Sequence, residues 1–379
     1  MTFTPLSRGH KTAAVVMGAT LLAAALAGCT SGSSSTASGP YSAAKGCTKV
    51  GILLPETASS SRWEGVDHPD LVKALQNDIP GVSVDYSNAN GSDTTQLSQA
   101  EADLTKGDCI LIVAPHDATA SAQIVEKALA QHVPVIAYDR LIQDKNLAFY
   151  VSFDNVKVGN LQGSYIASNY QSFVTGNGNN NLVMINGSQT DNNAVLFSKG
   201  AHQALDPLIN GGQLKKVYET FTPNWDNPTA QSEMEAALTQ TGNKVAVAYV
   251  ANDGMAGTVI AALKQANLAG KVLVTGQDAT APGINNILLG NQSMTVYKAI
   301  SKEANAASAL AAALSKGQDT SSMTNGATTA TSDGGAIPSV LETPVAVDKT
   351  NIASTVLADG FVTKADICTN VPAGTDGVC

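Results

Sequence analysis

The sequence predicts an α/β protein built as two doubly wound parallel-sheet lobes joined by a multi-crossing hinge. From Lys49 onward, short apolar strand-like runs alternate with helix-length segments across brief connections, the pattern of parallel α/β architecture. The alternation occurs as two successive series. The chain's 379 residues also exceed what one hydrophobic core usually supports, so two lobes are expected.

Residues 1–28 read as a lipoprotein signal peptide. Arg8 and Lys11 form a basic start, and residues 12–26 are an apolar stretch too short to span a bilayer. The segment ends Leu26-Ala27-Gly28-Cys29, which resembles a bacterial lipobox; Cys29 would be acylated and become the new N-terminus. Residues 29–46 are rich in Ser, Gly and Ala and are expected to form a flexible tether, roughly 20 to 25 Å long as a coil. Removing Arg8 and Lys11 leaves 20 basic against 31 acidic residues, a net charge of -11. That balance argues against nucleic acid as a partner.

Five cysteines leave four once Cys29 is acylated, an even number in an oxidising compartment, so disulfides are expected. Cys47 precedes the first strand and Cys109 opens the third, and these strands lie side by side in a doubly wound sheet. Cys368 and Cys379 bracket a Gly/Pro tail, residues 366–379. The expected pairing is Cys47 with Cys109 and Cys368 with Cys379. Spacing leaves the other two connectivities open.

The N-terminal lobe is expected over 47–154, with strands near 49–54, 82–87, 109–114, 133–138 and 148–153 and helices near 62–77, 93–106 and 118–131. Pro69 interrupts the first helix pattern. The C-terminal lobe is expected over 155–297, with strands near 181–186, 215–220, 245–250, 271–275 and 293–297. Its helices fall near 155–171, 193–209, 228–240 and 254–268; Pro228 suits a first helical turn and Gly270 a helix end. Residues 298–326, with an Ala-rich helix near 301–314, would return to the first lobe. Residues 327–365 would return to the second.

Strand ends carry the chemistry. The run 133–138 is short, β-rich and apolar on both faces, as a buried parallel strand should be, and it discharges into Asp139 and Arg140. Ligands in open parallel sheets sit at that end of the strands. The same place in other repeats holds Arg62 and Trp63, His116 and Asp117, Asp191 to Asn193, Trp225, Asn252 and Asp253, Asp278, and Lys298. Singly each has an ordinary explanation, such as helix capping by Asp117 or Asp253. Their recurrence at one strand end in both series points to a cleft. Asp, Asn, Arg and Lys suit hydroxyls, which both donate and accept hydrogen bonds, and Trp63 and Trp225 suit the apolar faces of a sugar ring. No phosphate-binding loop pattern appears.

The stretches Ala137-Tyr138-Asp139-Arg140, 150–155, Asp191-Asn192-Asn193, Asn252-Asp253, Gly276-Gln277-Asp278 and 294–298, in this order, carry a further inference. In them the chain resembles the xylose-binding members of the ribose/galactose-type (type I) periplasmic binding family, the solute receptors of bacterial ABC sugar importers. The resemblance spans almost everything from Lys49 to Phe361; the Pro69 region, the tether and the cysteine tail depart from it. It implies that Arg62, Arg140, Asp191, Asn193, Asn252, Asp278 and Lys298 bind hydroxyls, with Asp139 beside them, while Trp63 and Trp225 stack on the ring. It also implies a monosaccharide ligand with D-xylose favoured and an ABC permease as partner; with the lipobox, a monomer lipid-anchored at the outer face of the cytoplasmic membrane is expected. A multi-sugar receptor also read by a chemoreceptor or sensor kinase shares much of the pattern.

Other classes demand features this chain lacks. A glycosidase needs two carboxylates across a scissile bond, for which Asp139, Asp191 and Asp278 are the candidates, and His68, His116, His132 and His202 sit in no triad motif. A regulator of this fold needs a DNA-binding helix-turn-helix before the first lobe, where the signal and tether stand. No Cys/His or acidic-loop metal pattern is present, and no cofactor is expected. The expected mechanism is capture by closure of the lobes about crossings near Asp154, Lys298 and Gly326.

Overall fold

A computed structural model describes residues 40–379; the signal segment, Cys29 and most of the tether lie outside the described residues. The first series forms β1 (Lys49–Leu54), α1 (His68–Asp78), β2 (Ser83–Asn88), α2 (Asp93–Lys106), β3 (Ile110–Val113), α3 (Ala122–Leu129), β4 (Val135–Tyr138) and β5 (Phe149–Phe153). The second forms α4 (Asn155–Asn177), β6 (Asn181–Asn186), α5 (Asn192–Asn210), β7 (Lys215–Phe221), α6 (Asn227–Thr241), β8 (Val247–Val250), α7 (Asp253–Gln265), β9 (Leu273–Val274) and α8 (Ala281–Leu288). Then follow β10 (Thr295–Tyr297), α9 (Ile300–Lys316), β11 (Thr328–Ala330), β12 (Ala336–Glu342), β13 (Val345–Val347) and α10 (Lys364–Ile367).

The first sheet has the order β11-β12-β5-β4-β3-β1-β2 and is parallel throughout except for β11 against β12. The second is β7-β6-β8-β9, all parallel. Both sheets place their first strand inside their second, so helices fall on both faces and the central strands are buried on both sides. That is why β3, β4 and β8 read as unbroken apolar runs: all their residues are buried.

The chain passes from the first sheet to the second at Asp154, whose side chain caps α4 by accepting from Lys157 N–H at 2.9 Å. It passes back before α9, whose Ala304, Ala307, Leu310 and Ala311 pack in the first lobe's core. The departure expected near Gly326 is not there. β11 and β12 stay with the first sheet, and β12 pairs in parallel with β5 as far as Glu342 and Phe153. Ile337 accounts for this, since it is buried against Leu141 and Tyr150 in the first lobe's core. The last passage therefore falls at residues 343–344, directly before β13.

Three further features differ from expectation. β10 does not extend the second sheet but pairs antiparallel with β13 in a separate two-stranded ribbon. Pro69 lies in the first turn of α1, where its missing N–H is harmless, and a π-type turn over Trp63–Asp67 precedes it. The end of the expected tether is docked: Ser42–Ala44 forms a 3-10 turn, Ala44 is buried, and Gly46 N–H donates to Ser315 O at 2.7 Å.

Sulfur–sulfur bonds join Cys47 to Cys109, beside the starts of β1 and β3, and Cys368 to Cys379 in the tail. α4 and α5 cross closely because they meet through glycine: a β-carbon on Gly159 would lie 1.8 Å from Phe197 O, and one on Gly200 2.0 Å from Val156 O. Among the described residues no helix is long and apolar enough to cross a membrane.

Candidate functional site

Asp139 is the hub. It follows the last residue of β4 with φ of +59°, a conformation an L-residue holds only when its surroundings impose it. Here they do. Its N–H donates to Val151 O at 2.8 Å, and its carbonyl accepts from Tyr150 Oη at 2.9 Å, Ser152 Oγ at 2.7 Å and Asn193 Nδ2 at 3.0 Å. The carboxylate so aimed accepts from Arg62 Nη1 at 3.0 Å and Lys298 Nζ at 2.9 Å on one oxygen, and from Asn193 Nδ2 at 3.1 Å on the other. Burial alone would raise this carboxyl; Arg62, Lys298 and Arg140 outweigh it and hold the group ionised, below the usual carboxylate range.

Arg62 opens the turn after β1. Asp67 grips it in a bidentate pair, at 2.9 Å to Nε and 2.6 Å to Nη2, and Tyr138 Oη donates to the same carboxylate at 2.9 Å. Nη1 is left for Asp139. Trp63 donates from Nε1 to Glu56 at 2.8 Å, and the guanidiniums of Arg62 and Arg140 lie 4.5 and 5.1 Å from its ring centroid, within cation–π range. Glu303, on α9, stands 3.7 Å from Arg62 Nη2 with neither carboxyl oxygen hydrogen-bonded, and burial pushes its pKa well up.

The second lobe answers with Asp191, which caps α5 by accepting from Asn193 N–H at 2.9 Å. Its other oxygen forms an ion pair with Arg140 Nε at 3.0 Å and accepts from Trp225 Nε1 at 3.1 Å, so one carboxylate fixes a cation from the first lobe and an indole from its own. Trp225 reaches that place through left-handed backbone at Asn224 and Trp225, with φ of +54° and +55°. Its ring lies over Gly187, where a β-carbon would come within 2.1 Å of Cη2. Asn252 caps α7 through Met255 N–H at 2.9 Å, and among the described residues its Nδ2 has no hydrogen-bond partner. Asp278, also at positive φ, stands 3.6 Å from Arg62 and 3.9 Å from Lys298. The lobes meet across the cleft, with Ala118 N–H donating to Thr190 O at 3.0 Å.

All ten residues singled out in the sequence line one cavity. Four more line it that sequence reasoning missed: Ser59, Ser60, Phe197 and Gln277. Gln277 lies between Gly276 and Asp278 in one of the stretches that carry the family resemblance; the two serines and Phe197 carry no signal beyond position. Other strand-end residues serve structure or the cleft mouth. His116 pairs with Asp93 at 2.7 Å beside a neighbouring opening, Asp117 caps the following turn, and Asn192 accepts from Gln143 at 3.3 Å. Among the described residues one carboxylate group, Asp85, Asp103 and Asp108, has cation-binding spacing, but Lys49 and Lys106 already stand at 3.5 Å from Asp85 and 3.0 Å from Asp103.

A cleft between two doubly wound lobes, walled by aromatic rings and ionised hydrogen-bonding groups, defines a solute-binding protein of the type I periplasmic class. The sequence agrees: residues 50–319 match the family model described as periplasmic binding protein domain, and the chain belongs to that family. It is 40% identical to the D-xylose-binding periplasmic protein of Haemophilus influenzae over 84% of this chain and 92% of that one. It is 36% identical to the multiple sugar-binding periplasmic receptor ChvE of Rhizobium radiobacter, over 84% and 91%. Among solved structures, the carbohydrate transporter solute-binding protein of Chloroflexus aurantiacus in complex with D-glucose superposes with a TM-score of 0.73 at 30% identity, covering 85% of this chain and 98% of that one. These relatives are binding proteins, not enzymes.

Proposed function

We propose that this chain is an extracytoplasmic solute-binding lipoprotein that captures a monosaccharide, D-xylose foremost, by lobe closure and hands it to an ABC importer. One observation carries the reading: Arg62, Asp139, Asp191, Asn252, Asp278 and Lys298 converge from both lobes on a cavity walled by Trp63 and Trp225. Directional donors and acceptors over aromatic faces are what a neutral polyol requires. Likeness to the xylose-binding relative favours that pentose. Likeness to ChvE favours a second reading, a receptor for several sugars.

In this reading the protein performs no chemistry. Asp139 is ionised between Arg62 and Lys298, a poor state for a general acid. The lobes swing about the passages at Asp154, Lys298 and residues 343–344, and Cys29 carries the lipid that keeps the body at the outer face of the cytoplasmic membrane. Calorimetry of the purified protein against xylose, arabinose, ribose, glucose and galactose tests the ligand. Saturable xylose binding alone supports the pentose reading, comparable binding of hexoses supports the multi-sugar one, and no binding to any of them overturns both. Small-angle scattering with and without the bound sugar tests closure, and an unchanged radius of gyration would count against a hinge. Mass spectrometry of the mature N-terminus tests the acyl group on Cys29.

A further inference from the structure

A buried amide normally pairs at both ends, and unpaired ones call for an explanation. Among the described residues seven amide side chains bury an oxygen without a partner: Gln99, Asn155, Gln162, Asn186, Asn227, Gln277 and Gln292. In six of them the nitrogen donates to protein, as Gln162 does to Val250 O and Gln292 to Asp253. Gln277 differs. It is 3% exposed, lines the cavity, and among the described residues neither end of its amide has a hydrogen-bond partner.

Its backbone leaves little freedom to turn away. Asp253 N–H donates to Gln277 O at 2.9 Å, Asp278 N–H donates to Val296 O at 2.9 Å, and the carbonyl of Gly276 accepts from Gln162 Nε2 at 2.9 Å and Val296 N–H at 3.1 Å. Both neighbours are thus pinned to β10, and Gly276 to α4 as well, and the side chain between them lines the cavity wall. An amide presents a donor and an acceptor side by side, the complement of one or two sugar hydroxyls.

We infer that Gln277 is a specificity-determining residue, reading a hydroxyl of the bound sugar that no ionised group of the site reads. The inference rests on the sugar-receptor reading given above. A site built to pair a hydroxyl rejects the analogue lacking it far more strongly than an apolar wall can, because the buried polar group is then stranded.

The test is Gln277→Met, which keeps length and bulk and removes the amide. With no protein partner to lose, the ligand-free variant should melt at or above the wild-type temperature. Its affinity for the cognate sugar should fall at least tenfold. Calorimetry with the monodeoxy derivatives of that sugar supplies the readout a structural role would not move. Wild type should discriminate against one of them by at least tenfold, and the variant should bind that one and the parent sugar alike. An unchanged discrimination profile, or a lower ligand-free melting temperature with a uniform loss across all sugars, would overturn the assignment. A wild type that bound no monosaccharide would overturn the receptor reading and this inference together.

Discussion

Lys298 Nζ lies 2.9 Å from Asp139 Oδ2, although 159 residues separate them and Lys298 stands where the chain leaves β10 to return to the first lobe. The pair joins the hinge to the centre of the cavity, and Arg62 Nη1 completes it from 3.0 Å on the same oxygen. Asp139→Asn leaves two buried cations around an oxygen that no longer carries charge. Breaking a buried pair from one side costs about 3–5 kcal/mol. The expected outcome is a large drop in melting temperature together with loss of sugar binding. Lys298→Met leaves Asp139 with Arg62, so it should lose binding with a smaller drop. Thermal unfolding and calorimetry on both variants check this; equal melting temperatures for the two would refute the role given to Asp139 as hub.

Trp63 and Trp225 are the chain's only tryptophans, and both line the cavity. Ligand capture should therefore change intrinsic fluorescence in a saturable way, with no third indole to mask it. Trp→Phe at either position should keep part of the signal and weaken binding. Trp→Ala adds a packing cost of about 3–5 kcal/mol, since both rings are buried. Emission that stays constant in a titration where calorimetry records binding would show that neither ring meets the sugar.

Gly187 is required by Trp225. A β-carbon there would fall 2.1 to 2.3 Å from three carbons of the indole, so Gly187→Ala must displace the ring. Overpacking of this kind costs about 1–3 kcal/mol, but displacing the ring also loosens its bond to Asp191. Affinity should fall at least tenfold, and in a Trp63→Phe background the emission of the ligand-free protein should shift. Wild-type affinity in the alanine variant would mean that the ring's position is immaterial to binding.

The residues of the cavity were legible because parallel sheets put function in one place. Reading the residues that follow β1, β4, β6, β7, β8, β9 and β10 gathers ten of the fourteen residues that line the cavity. Support for them was not legible. Asp67 sits in a turn disguised by Pro69, and Glu303 lies in an Ala-rich helix whose pattern advertises packing rather than charge. α8 has no counterpart in the sequence reading; it is only eight residues long, with Pro282 in its first turn, where Pro is at home. The pairings of β12 with β5 and of β10 with β13 join distant segments of short, partly polar strands. Local sequence holds no record of such a partner.

Asp253 ties α7 to the turn before α8 and to β10. Its carboxyl accepts from Gln292 Nε2 and Thr295 Oγ1, each at 2.8 Å, and from Thr280 N–H at 2.8 Å. Among the described residues no cation lies within ion-pair distance of it. Burial is the largest influence and, against those donors, pushes its pKa up to about 7. A folded value raised above the unfolded one, about 3.9, means that folding favours the protonated form. This stabilisation is complete below about pH 4, is lost as pH rises to about 7, and amounts to about 4 kcal/mol at most. Asp253→Asn removes the titration while keeping the shape, so the stability gap between wild type and variant should narrow as pH climbs from 4 to 7 and stay level above that. Denaturant unfolding at a series of pH values measures the gap. A gap that stayed level or widened between pH 4 and 7 would mean that the three donors keep Asp253 ionised and that burial does not govern its charge.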